Sequence, residues 1–198
     1  MVDGRIERGK ATRERLIEAA REQFGAHGYE GTSLDAILGV AGVKRGALYH
    51  HFASKQELFD AVLDRVVGEM AERVANAAGA ASDPVESLRI GCATWLRMAL
   101  DPEVQRIVLL DPPSVVGWTR YREIDEAHTL GGLRHNLERI AAQGRLAGGD
   151  VDLLAHMVIA SVNEAALMIA RAKNPRAALK TGEATVTTLL DGLVRRAP

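Results

Sequence analysis

Apolar residues along this chain recur at intervals of three and four. No stretch shows the strict alternation of a half-buried strand or a Val/Ile/Thr-rich run. The pattern predicts helices almost throughout. In the first, from about Thr12 to His27, Leu16, Ala20 and Phe24 share a face. A short second helix follows Thr32-Ser33. A turn at Ala41-Gly42-Val43 leads to a short third helix over about Lys44 to His51. A fourth starts at a Ser54 cap and shows Leu58, Val62 and Val66. Further segments at about 84–100, 102–110, 113–143, 150–172 and 175–196 give an all-α chain of about nine helices. Asp83-Pro84, Asp101-Pro102 and Asn174-Pro175 each place a cap oxygen before a proline at the first helical position. Asp83 with Glu86 and Ser54 with Glu57 have capping-box spacing. Asp111-Pro112-Pro113 interrupts the pattern, because an interior proline lacks the N–H and clashes with the preceding turn. Gly131-Gly132 predicts either a kink beside a cavity or an early helix end.

Composition divides this helical chain into two parts. Five of its eight aromatic residues (Phe24, Tyr29, Tyr49, Phe52 and Phe59) lie in the first 60 positions. Phe24, Ile37, Leu48, Phe52 and Phe59 supply a compact N-terminal core, and the rest relies on Leu, Val, Ile, Ala and Met. A core from about 50 residues is marginal alone, so the fourth helix is expected to dock onto the second part or run into it. The length of 198 residues and 47% hydrophobic content exclude a disordered chain. No apolar run approaches the roughly 18 residues of a membrane span. Met1 to Lys10 is charged and unlike a secretory signal. The single cysteine, Cys92, excludes an internal disulfide and fits a reducing compartment. The expectation is a cytoplasmic protein with no membrane partner.

The second and third segments have the form of a helix-turn-helix, over about 33–52. Such a motif needs small or polar residues on the outer face of its second helix and an apolar anchor behind. Leu48 and Phe52 supply the anchor. Lys44, Arg45, Gly46 and Tyr49 face away from it. Arg45 has the fork that pairs bidentately with guanine, and Gly46 allows close approach. The net charge of −1 hides local excess. Lys44 to Lys55 holds three basic and no acidic residues, and Met1 to Arg15 holds five basic and three acidic. Phosphate neutralisation depends on such local charge rather than on the total. Spacing alone remains equally compatible with two short helices of an ordinary all-α core.

A longer ordered pattern goes further. Thr12-Arg-Glu-Arg-Leu-Ile-Glu-Ala-Ala20 is followed by Phe24, Gly28-Tyr29 and Thr32-Ser33. Gly42-Val43, Gly46, Leu48-Tyr49, His51-Phe52, Lys55 and Leu58 come next. This stretch, about residues 10–70, resembles the DNA-binding domain of TetR-family transcriptional regulators. Ile37-Leu38 departs from the apolar-Ala pair usual near the middle of the family's second helix, which alters packing rather than class. The resemblance implies a DNA-binding domain at 10–70 and a helical effector-binding and dimerisation domain at 71–198. It implies a homodimer on a palindromic double-stranded DNA operator, acting as a repressor released by a small-molecule effector. At matching positions Arg45, Gly46 and Tyr49 are expected nearest the bases, Lys44 at base or backbone, and Ala47 against a thymine methyl. Thr32, Ser33, His50, His51 and Lys55 are expected at phosphates, with bracing of the turn into the fourth helix as the other role for His51. The dimer is expected through about 150–172 and 175–196, on the stripes Leu154/Met157/Val158/Ser161/Val162/Ala165 and Val186/Leu189/Leu190/Leu193. The effector pocket is expected within 84–143, with Trp95, Met98, Trp118, Tyr121 and His128 as candidates and Thr94, Asn136 and Asn163 as polar contacts. Each of these also fits a plain core position.

Other classes receive less support from the residues. There is no Gly-x-Ser-x-Gly, phosphate-binding loop, His-Glu-x-x-His or cysteine pair, so no enzyme, cofactor or metal site is expected. His128 and His135 stand two turns apart, too far to share a metal easily. The alternatives are a helical interaction protein, or a metal- or redox-sensing regulator without an organic ligand. In the redox case Cys92 would have to be exposed and activated.

Overall fold

The structure, a computed structural model, describes residues 3–195. Met1, Val2 and Arg196, which the expected arm and last helix include, lie outside the described residues, as do the side chains of residues 3–6. Among the described residues there are nine helices besides one isolated turn. They are α1 (Asp3–His27), α2 (Leu34–Ala41), α3 (Arg45–His51), α4 (Lys55–Gly79), α5 (Pro84–Met98), α6 (102–110), α7 (118–142), α8 (Val151–Arg171) and α9 (Pro175–Leu193). A single turn, Pro112–Val115, separates α6 from α7. The described residues contain no strand, only an isolated bridge between Leu146 and Val194.

The expected caps at Ser54, Asp83 and Asn174 operate. Ser54 Oγ accepts from Glu57 N at 3.0 Å while Glu57 Oε2 accepts from Ala53 N at 2.6 Å, so the expected box at the start of α4 closes on the residue before the cap rather than on Ser54 itself. Asn174 Oδ1 accepts from Ala177 N at 3.1 Å. Two boundaries differ from expectation. Helix α1 begins at Asp3 rather than near Thr12; residues 3–11 lack an apolar stripe but are mostly good helix formers. The segment expected at 113–143 breaks at Gly117, whose φ of +81° suits glycine, and α7 starts only at Trp118. Gly131-Gly132 does not end α7, which widens into a π-turn over Glu126–Leu130 just before the pair and continues to Ala142.

The chain forms two compact units that interleave in sequence. Unit one gathers the described residues up to Val66 together with Pro102–Tyr121. Unit two gathers Val67–Asp101 with the described residues from Arg122 onward. Helix α4 therefore belongs to both, dividing at Val66 and Val67. The sequence-based division at 70/71 treats the parts as consecutive and assigns 102–121 to the second.

In unit one, Phe24, Ile37, Leu48, Phe52 and Phe59 are all buried. Phe24, Tyr29 and Phe59 form an aromatic cluster with centroids 5.1–5.8 Å apart. Segment 102–121 is held to this core by polar contacts. Arg21 Nη2 donates to Glu103 Oε1 at 2.8 Å, Tyr29 N to Asp111 Oδ2 at 2.8 Å, and Arg120 to both Asp60 oxygens at 2.8 and 3.0 Å.

In unit two, α5, α7, α8 and α9 pack through Leu88, Leu96, Leu137, Ile140, Val158, Ile169, Val186 and Leu190, all buried. A Cβ at Gly182 would stand 3.1 Å from Ile169 Cδ1, so that glycine lets α9 lie close on α8. Helix α8 is long and apolar enough, by length and composition, to cross a membrane, with a mean hydropathy of 1.7 over its best window. This corrects the expectation that no apolar run reaches that length. Leu154, Val158 and Val162 of α8 are buried in unit two, whereas Leu153, Met157 and Met168 are more than half exposed.

Candidate nucleic-acid interface and ligand cavity

The helix-turn-helix is built from local backbone chemistry. Ser33 Oγ caps α2 by accepting from Ala36 N at 3.1 Å. Gly42 ends α2 at φ +63°, its N–H and that of Val43 both reaching Leu38 O. Lys44 then takes an extended conformation and α3 starts at Arg45. Leu48 and Phe52 point into the core, which leaves Arg45, Gly46, Tyr49 and His50 on the exposed face beside Lys44. Ala47 is half-buried. A Cβ on Gly46 would meet nothing within 4 Å. The fold itself does not require glycine there, so its smallness matters only to something that approaches from outside.

The other expected contact residues have tasks inside unit one. Thr32 is buried, with its hydroxyl 2.7 Å from Gly28 O and 3.0 Å from Gln23 O. Lys55 Nζ lies 4.0 Å over the Tyr29 ring and donates to Tyr29 O at 2.9 Å and Thr32 O at 3.1 Å. Both thus brace the turn between α1 and α2 onto α4. His51 is half-buried beside His50 and Arg13, and burial followed by those two neighbours pulls its pKa below the ordinary value. Arg45 reaches back across the turn to Asp35 Oδ1 at 2.5 Å, and this hydrogen bond and charge raise its already high pKa. The sequence reading missed this partner, although an acid ten residues before an arginine across a tight turn is a visible signal.

Unit two holds a partly open cavity of about 300 Å³ lined by α4, α5, α7 and α8. Its walls are largely apolar, with Val74, Leu88, Leu133, Val158, Ile159 and Val162 among them. Trp95 and His128 line it as expected, together with Asn136 and Asn163. The His128 ring rests against Gly68, where a Cβ would lie 3.2 Å from its Cε1. Met98, Trp118 and Tyr121 do not line the cavity, nor does Thr94. Met98 is buried one turn beyond the α5 wall formed by Ser87, Leu88, Gly91, Cys92 and Trp95. Trp118 and Tyr121 follow the break at Gly117 and belong to unit one, Trp118 being 64% exposed.

Asp125, which the sequence reading passed over, also lines the cavity and is 4% exposed. Its Oδ2 accepts from Asn163 Nδ2 at 3.0 Å and its Oδ1 lies 3.2 Å from Thr129 Oγ1. Burial raises its pKa, and the hydrogen bonds together with the charge of Arg122 only partly oppose this. Cys92 is buried in the wall, and burial pushes its thiol up to about 12, which removes the activated thiolate a redox sensor needs. Among the described residues no three His, Cys, Asp or Glu side chains are grouped to hold a metal ion.

The chain resembles known proteins along most of its length. Residues 16–62 match the family described as bacterial regulatory proteins, tetR family, and residues 85–193 match the tetracyclin repressor-like C-terminal domain. The HTH-type transcriptional repressor AcnR of Corynebacterium efficiens is 32% identical over 142 residues, covering 68% of this chain and 69% of AcnR. The crystal structure of a TetR-family transcriptional regulator from Pectobacterium atrosepticum superposes with a TM-score of 0.86 at 35% identity, over 97% of this chain and 98% of that one. RolR, crystallised with its ligand resorcinol, shares the fold with a TM-score of 0.72 at 19% identity, over 98% of both chains. With the exposed face of α3 carried on a helix-turn-helix, these matches establish that the chain belongs to the TetR family of DNA-binding transcriptional regulators.

Proposed function

We propose that this regulator is a repressor that binds a palindromic operator as a homodimer and lets go when a small molecule fills the cavity of unit two. The observation that carries the reading is the outer face of α3. Lys44, Arg45, Gly46 and Tyr49 are exposed, three of them long or aromatic, and none contributes to the buried core. In this reading Arg45, Gly46, Ala47 and Tyr49 meet base edges and Lys44 meets base or backbone. Ser33, His50 and His51 lie at phosphates, and Thr32 and Lys55 position the motif from behind. Function then divides as 10–70 for DNA and 71–198 for effector and dimer. In this reading the protein, like the AcnR repressor it resembles, regulates transcription; it acts without catalysis and in the cytoplasm.

The exposed apolar residues support the dimer. Leu153, Met157 and Met168 on α8 and Leu189 on α9 face outward, which suits burial against the same helices of a second copy. Leu154, Val158, Val162, Val186 and Leu190 serve the intramolecular core instead. A dimer places two α3 helices one DNA turn apart, roughly 34–36 Å, in the operator-binding state. A ligand that binds better to a state with other spacing shifts the population away from DNA. Genome-wide mapping of bound sites followed by a gel shift on the recovered palindrome tests this. Two subunits should bind each palindrome, and scrambling one half-site should weaken binding at least tenfold. Equal affinity for scrambled DNA would refute the operator reading.

A further inference from the structure

We infer that the cavity of unit two takes a compact organic cation, an amine with an apolar body whose ammonium is received by Asp125. The inference rests on the reading of the cavity as the effector site. Asp125 is 4% exposed and lines the cavity, yet both of its hydrogen-bond partners, Thr129 and Asn163, are neutral. Arg122 on α7 makes no hydrogen bond to Asp125 and is engaged with Glu126 Oε1 at 3.2 Å, so its charge steadies the carboxylate without a direct contact. A buried carboxylate hydrogen-bonded only to neutral donors keeps free lone pairs, and the charge of Arg122 offsets its burial only in part, so a cation removes the remaining cost.

Two further groups in the same cavity lack partners. Asn136 Oδ1 is a buried acceptor without a donor, and Trp95, 7% exposed, has a buried Nε1 without an acceptor. Asn136 offers the ammonium a second acceptor, and the indole face of Trp95 attracts cations. The free indole N–H calls for one acceptor atom on the ligand, such as an ether or hydroxyl oxygen. The three basic side chains of the lining are otherwise occupied. His128 rests on Gly68, Arg139 donates to Ser82 O at 3.3 Å, and His135 is exposed beside Glu138. None of them balances Asp125. At about 300 Å³ the cavity sits at the small end of ligand sites, so the body is compact.

Calorimetry at pH 7 with three isosteric probes tests this: 2-phenylethylamine, 2-phenylethanol and phenylacetate. The amine should bind the full-length protein at least about tenfold more tightly than the alcohol, and phenylacetate weakest. Asp125→Asn should abolish the preference for the amine and leave alcohol binding in place, with folding checked by circular dichroism. If that variant does not fold, the ranking of the three probes on the unaltered protein decides alone. Equal binding of amine and alcohol, tighter binding of phenylacetate, or no amine binding at millimolar concentration overturns the inference. Operator release is scored separately. An amine that binds selectively without releasing DNA would defeat the effector reading and leave the charge preference intact. Release by the alcohol with no preference would do the reverse.

Discussion

Arg45 Nη2 donates to Asp35 Oδ1 at 2.5 Å across the turn of the helix-turn-helix, so the best candidate for reading a base is tethered to the preceding helix. Both side chains are exposed, which makes the tether easy to exchange for a DNA contact. Arg45→Ala should cost about tenfold or more in discrimination between the operator and a site altered at one base pair. Asp35→Ala should do something different. It removes a negative charge beside the DNA and frees the guanidinium, raising affinity for random DNA several-fold at low salt. Fluorescence anisotropy on both duplexes checks the pair. An equal loss on operator and random DNA would make Arg45 a phosphate contact.

Lys55 and Lys44 differ in what they are expected to do, although both are lysines beside the motif. Lys55→Ala should lower thermal stability by about 1 kcal/mol, because it removes a cation–π contact and two hydrogen bonds to carbonyls. It should leave the salt slope of DNA binding unchanged. Lys44→Ala should reduce that slope by about one counterion with no change in melting. A salt slope that falls for Lys55→Ala would return that ammonium to the phosphate backbone.

Neighbouring leucines on α9 separate dimerisation from folding. Leu189 is 43% exposed and Leu190 is 2% exposed. Leu189→Glu should yield a folded monomer by light scattering and circular dichroism. Leu190→Glu should lose about 3–5 kcal/mol of stability, because it buries a charge in place of a packed side chain. A dimeric Leu189→Glu protein with native mass would move the seam elsewhere.

The Cys92 thiol stands at about 12 in the folded chain against an ordinary value of 9.0. Ellman's reagent at pH 8 should label denatured protein rapidly and native protein only through unfolding. Between about pH 9 and pH 12 the folded state holds a proton that the unfolded state has released. Stability from this group is therefore complete below pH 9 and declines as pH rises through that window. Fast labelling of native protein would show the α5 wall to be open.

Much of unit one was legible because periodicity, caps and glycine turns agree there. Leu16, Phe24 and Leu48 fall on buried faces, and Ser33, Gly42 and Ser54 mark the ends of short helices. Segment 102–121 was not legible in the same way. Its place in unit one depends on Glu103 and Asp111, each paired with a group 82 positions away, and no local pattern announces such a partner. The cavity was half legible. Apolar spacing finds Trp95, but a lone Asp125 in the polar run 118–126 looks like a solvated face until α8 brings Asn163 to it. The aromatic pair Trp118 and Tyr121 misled for a related reason, since the first turn of α7 belongs to unit one and the helix enters unit two only at Arg122.

Gly68 never enters the cavity, yet it sets how much room the cavity has. Because His128 leans on its bare Cα, even a methyl group there would displace the imidazole by a few tenths of an ångström. The room the cavity offers is thus partly set outside the lining, on α4. A substitution at this single position would reshape the cavity without replacing any residue that lines it.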